Sequence, residues 1–137
     1  MSSTRIISVQ CPKCQLEKEV KVYDSLNVVL QPQDKEDLLQ GRINLFECTQ
    51  CDFKGIIPIP LLYLDHDQEI CVQYYPPSYL DDTLFLEGFR QDGTILVKIS
   101  NEMEIPQYIR QWHIVFALDE MVRYINFRER VIKNLLK

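Results

Sequence analysis

The sequence predicts an α+β domain: a four-cysteine zinc ribbon with a helical insertion, extended by further antiparallel strands and closed by carboxyl-terminal helices packed on the sheet. Three observations predict it. Cysteines stand as two pairs of equal spacing, Cys11/Cys14 and Cys48/Cys51; strand-like segments dominate up to residue 99; and a three- and four-residue period takes over beyond Glu104. With 137 residues, 46% of them hydrophobic and 26% charged, the chain has ordinary globular composition and the length of one domain. That domain, 1–137, divides into a ribbon portion (1–60), further strands (61–104) and the carboxyl-terminal helices (105–137).

In the ribbon portion, Arg5-Ile-Ile-Ser-Val9 reads as a strand leading into Cys11-Pro-Lys-Cys14, where Pro12 presets the φ such a turn uses. Glu19-Val-Lys-Val-Tyr23 alternates as a half-buried strand, and Leu26 to Leu30 continues as another after an Asp24-Ser25 turn. Asp34 to Gly41 reads as a short helix, with Asp34 as N-cap and Gly41 at the positive-φ position that ends it. A strand from Ile43 reaches the second cysteine pair, and Phe53 to Ile59 leaves it as another, which Pro58 and Pro60 confine to an edge or terminate.

Further on, Glu69 to Tyr75 is strand-like, Pro76-Pro77-Ser78 is a turn, and Tyr79 to Phe89 is mixed. Asp92-Gly93 marks a hairpin before a strand from Thr94 to Ile99. Pro106, with Ile109, Trp112 and Phe116 at helical spacing, predicts a helix. The final helix, about Asp119 to Leu136, carries the stripe Leu118, Met121, Ile125, Arg128, Ile132 and Leu135, opens on Asp119 and Glu120 and closes on Lys133 and Lys137. Its stripe is expected to cover the sheet of the same domain, with self-association as the sharper alternative.

Four thiolates in two such turns suit a tetrahedral zinc ion, and a site filled by four sulfurs is structural because no position is left for water or substrate. Cys11, Cys14, Cys48 and Cys51 are therefore the candidate metal ligands and Zn²⁺ the expected cofactor. A redox dithiol and an iron or iron–sulfur centre are the competing chemistries. Lys13, Lys18 and Lys54 lie where a cation would offset the sulfur charge. The interval between the pairs exceeds the ~15–20 residues of the usual two-pair zinc signature, so substantial structure is inserted there. Cys71, in a strand-like run, reads as a buried inert thiol.

The order Cys11-Pro-Lys-Cys14, Val22-Tyr-Asp-Ser-Leu-Asn-Val28, Leu38-Leu-Gln-Gly41, Asn44-Leu-Phe-Glu-Cys48 and Leu61-Leu-Tyr-Leu-Asp-His66 resembles the CpXC family of bacterial and archaeal proteins over nearly the whole chain. The resemblance implies one domain defined by its two cysteine motifs, with the same four cysteines as metal ligands. Thr49 stands where the family pattern has proline. The family is functionally uncharacterised, so the resemblance implies no activity.

Fifteen Lys and Arg against twenty Asp and Glu leave a net charge of -5, which repels polyphosphate. Local basic residues, such as Arg123, Arg128, Arg130 and Lys133 in the final helix, are offset by neighbouring acids, so nucleic-acid binding is the second reading. The opening residues lack a secretory layout and no run approaches the ~20 apolar residues of a membrane span, which predicts a cytoplasmic protein away from membranes. Asp65-His66-Asp67 offers an acid-flanked imidazole, and an enzyme with a site near His66 is the third reading. No catalytic residue is assigned. The leading expectation is a zinc-stabilised binding or adaptor module meeting a protein partner, or a second copy of itself, through the carboxyl-terminal helix.

Overall fold

The computed structural model describes residues 2–95 and 106–136 of the chain. It is α+β, with a five-stranded sheet in the order β1-β2-β5-β6-β7 and a separate two-stranded sheet β3-β4. Strands β1 (Ser3–Gln10) and β2 (Glu17–Asn27) form an antiparallel hairpin. The polar Glu17, Glu19 and Lys21 face outward while Val22 is fully buried, so the expected alternation is realised. The expected break at Asp24-Ser25 is absent. Arg5 holds the Asp24 carboxylate across the pair at 2.9 Å, and Ser25 to Asn27 gain a second partner strand, so β2 runs on.

Helix α1 (Pro32–Leu39) begins on a proline, which loses nothing where the amide has no helical partner. Asp34 is not its N-cap but lies in the first turn, where its buried carboxylate accepts a hydrogen bond from Ser2 Oγ at 2.6 Å. Gly41 stops the helix with φ +74°, as the sequence predicts. The chain then forms β3 (Leu45–Glu47) and β4 (Lys54–Ile56), and next the antiparallel pair β5 (Leu61–Asp65) and β6 (Ile70–Tyr74).

The sheet is mixed and not antiparallel throughout: β5 runs parallel to β2, and β7 (His113–Val115) parallel to β6. Tight turns enforce antiparallel neighbours, whereas the long connections after β2 and after β6 carry the chain back to the end from which it started. The second of these holds a 3-10 turn (Pro77–Asp81) and the helix α2 (Thr83–Leu86), capped by the Asp82 carboxylate, in place of strands alone. Gly93, at φ +86°, closes a turn in which Arg90 N–H donates to the Thr94 carbonyl and Phe89 bridges Ile95. Residues 96–99 of the strand expected after it lie outside the described residues. The helix expected through Ile109, Trp112 and Phe116 is one turn, α3 (Gln107–Arg110), followed by β7. The free edge of β6 claims His113 to Val115 and overrides their helical spacing.

Helix α4 (Leu118–Leu135) packs on β6 and β7 of its own domain. Met121 and Ile125 are fully buried in one core cluster with Leu26, Leu61, Tyr63 and Val72, each such side chain contributing about 1.5–3 kcal/mol. Leu135 departs from the expected stripe, being 75% exposed. A second cluster gathers Cys11, Val22, Phe46 and Ile57 at the cysteine end.

Tyr63 is fully buried in the first cluster, yet its hydroxyl has no hydrogen-bond partner among the described residues. Burial, with Asp65 and Glu129 nearby, pushes its pKa well above the usual tyrosine value, so the phenol stays neutral. Tyr63→Phe removes an unsatisfied polar atom without changing shape and should raise stability by about 1 kcal/mol. Urea denaturation checks this; a lower midpoint would show that the hydroxyl is satisfied in solution.

Candidate metal centre

Each cysteine pair occupies the tip of a hairpin. Cys11 follows β1, and its N–H donates to the Leu16 carbonyl at 2.9 Å while its own carbonyl accepts from Gln15, which adopts φ 66°. Cys48 follows β3, and its N–H donates to the Phe53 carbonyl at 3.0 Å. The amides of Lys13 and Cys14 point at the Cys11 sulfur and that of Leu16 at Cys14; those of Gln50 and Cys51 point at Cys48 and that of Phe53 at Cys51. The offsets are the same in both turns. Thr49 therefore supports the same backbone shape that Pro12 presets in the first turn.

The hairpins meet tip to tip, and all four sulfurs lie within 4.8 Å of one another. The close contacts cross between the turns: Cys11 Sγ to Cys51 Sγ at 3.6 Å and Cys14 Sγ to Cys48 Sγ at 3.4 Å. A tetrahedral zinc with bonds of about 2.3 Å separates its sulfurs by about 3.8 Å, so the cluster fits such an ion with little movement. All four thiols are free of disulfides. A redox pair would need two sulfurs set apart from the rest, whereas here each sulfur has a close neighbour from the opposite turn.

The electrostatics of the four are uneven. Desolvation opposes ionisation of Cys48, but the amides of Cys51 and Gln50, with hydrogen bonds from Cys14 and Cys51, hold its pKa down to about 6. At Cys51 the Phe53 amide favours the thiolate, yet desolvation and the three neighbouring sulfurs together push the pKa up to about 12. The four sulfurs therefore titrate as one coupled set, in which each added negative charge opposes the next. A divalent cation among the sulfurs is the group that lets all four ionise.

Of the three lysines expected near the turns, two bridge the hairpins. Lys13 pairs with Asp52 at 2.5 Å, and Lys18 donates to the Glu47 carbonyl at 3.0 Å. Both are surface contacts of modest strength. Lys54 makes neither an ion pair nor a hydrogen bond among the described residues. Beneath the second turn the Phe53 ring lies so close over Gly55 that a Cβ there would stand 2.9 Å from Cζ, which explains the glycine.

Sequence reasoning missed Asn44. Placed inside an expected strand, it instead adopts φ 53°, and its buried side chain spans the two halves of the site. Its Oδ1 accepts from the Tyr23 N–H at 2.8 Å, its Nδ2 donates to the Tyr23 carbonyl at 3.0 Å, and its carbonyl accepts from Ile57 N–H at 2.7 Å. Asparagine's tolerance of left-handed backbone, just ahead of an apolar strand, was the available signal.

The remaining candidates stand apart from the sulfurs. Cys71 is buried in β6, and burial pushes its thiol up to about 11, as expected of an inert cysteine. His66 is exposed and its Nδ1 contacts the Tyr108 hydroxyl, while the Asp65 carboxylate is taken by the Gln68 amide and side chain. The acid-oriented imidazole expected there is not formed between these two neighbours. His113 stacks on the Tyr124 ring at 3.9 Å.

Asn44→Ala removes both hydrogen bonds to Tyr23 and leaves a non-glycine residue in left-handed backbone, at a cost of about 2–3 kcal/mol. Chemical denaturation should show that loss, and Asn44→Gly should recover only the backbone part. No curated protein and no solved structure matches the chain significantly. A family model described as CpXC protein matches residues 9–132, and with that coverage the chain belongs to the CpXC family.

Proposed function

We propose that the protein is a zinc-stabilised binding module of a reducing, cytoplasmic environment, in which Cys11, Cys14, Cys48 and Cys51 hold one structural Zn²⁺. The observation that carries the metal reading is the convergence of four sulfurs from two like turns, each met by backbone amides. Four thiolates complete the coordination of zinc, so the ion braces the two hairpins and takes no substrate. Zinc binding worth about 10–16 kcal/mol in small domains is comparable with the whole stability of a fold this size, and the cysteine end depends on it.

The binding reading rests on α4. One face of this helix is buried in its own core, while Phe127, Val131 and Leu135, four residues apart, are 61%, 39% and 75% exposed along another. A stripe of that spacing suits a helix or groove of a protein partner, including a second copy of the chain. No helix among the described residues is long and apolar enough to cross a membrane, and nothing in this reading calls for one.

Elemental analysis should give one zinc per chain. Cys48→Ser should lose most of it and loosen the residues around Phe46 and Ile57 while α4 stays docked; full zinc occupancy in that variant would remove the ligand assignment. Light scattering together with a pull-down should detect self-association or a retained protein that Val131→Glu abolishes without loss of zinc. A strict monomer that retains no protein would count against the adaptor role.

A further inference from the structure

We propose that the cleft between α1, β4 and the start of α4 is a binding site for a small, uncharged, mainly apolar molecule bearing one hydrogen-bond acceptor, such as a carbonyl. The cleft has a volume of about 710 Å³, in the range of pockets that hold small organic ligands. Its walls are Leu38, Ile43, Ile56, Leu118 and Val122, so the body of the occupant must be apolar.

The polar groups select the rest. Tyr74 lines the cleft and is only 5% exposed, yet its hydroxyl makes no hydrogen bond among the described residues. Burial raises its pKa, so it stays a neutral phenol able to donate to an acceptor. The first turn of α4 opens onto the same space. Ala117 supplies no side-chain cap; the Glu120 amide is taken by the Asp119 carboxylate at 3.0 Å, and the amides of Leu118 and Asp119 have no acceptor among the described residues. The two amides can only donate and the phenol is able to donate, so one acceptor on the occupant suits all three. At the mouth, Arg123 and Asp119 pair at 2.5 Å and neutralise one another, so a charged head group finds no unpaired partner.

The test uses the zinc-loaded full chain with two probes of similar size, 2-nonanone, which carries a terminal acceptor, and butylbenzene, which has none. Methyl and aromatic NMR shifts should follow saturable one-site binding of both, with the affected signals at Val122, Leu38 and Tyr74. Tyr74→Phe should weaken the ketone about tenfold, the worth of one buried hydrogen bond, and leave butylbenzene unchanged. Ile56→Trp, at a position 45% exposed and so tolerant of a larger side chain, should block both probes while the zinc content and the remaining spectrum stay intact. The assignment is overturned if neither probe saturates, if binding survives Ile56→Trp, or if Tyr74→Phe affects the two probes equally.

Discussion

Everything at the amino-terminal end depends on one meeting of chain segments far apart in sequence: two hairpin tips bring four sulfurs within 4.8 Å of one another. Unbalanced thiolates so close together repel, and the amides that curl around each sulfur offset only part of that repulsion. The residues surrounding the tips serve this approach. Lys13 reaches Asp52, Lys18 reaches the carbonyl of Glu47, and Asn44 ties the root of the second hairpin to the middle of β2.

Strand β2 is the member that joins this end to the rest. Its Val22 belongs to the small core beneath the cysteines, and its Leu26, one helical turn's worth of sequence later, belongs to the large core under α4. It pairs with β1 along its length and with β5 only at its end, so it leaves the cysteine hairpin as one strand and enters the main sheet as the same strand. The two cores are thereby coupled through continuous backbone. The energetics follow burial: apolar side chains removed from water supply the stability, and the surface ion pairs add register more than strength.

The chemistry is divided in the same way. The sulfur cluster lies at one end of the molecule, whereas the apolar cleft and the exposed face of α4 lie on the main body. The cleft borrows one wall, Ile56, from the strand that leaves the second cysteine turn, and another from the helix that closes the domain. Its shape therefore depends on how the cysteine hairpin is held against the main body.

Much of this was legible from the residues in order. Two cysteine pairs of equal spacing are each a local signal, since within each pair the cysteines, the turn and the flanking strand are near neighbours along the chain. The final helix was equally clear, because eighteen residues of consistent period outweigh any local ambiguity. Other features had no local signature. Whether β2 and β5 run parallel, whether His113 to Val115 form a strand or a helical turn, and whether Asp65 turns toward His66 or Gln68 depend on which neighbours become available once the sheet assembles. Asn44 shows the limit most clearly: the residue type permitted its backbone, and only the distant Tyr23 gave it a task. The sequence by itself determined the two cysteine pairs, the class of fold and the amphipathic helix, because those rest on short-range spacing. Tertiary structure decided strand direction, the aim of polar side chains and the existence of the cleft, because each is a relation between segments that meet only after folding.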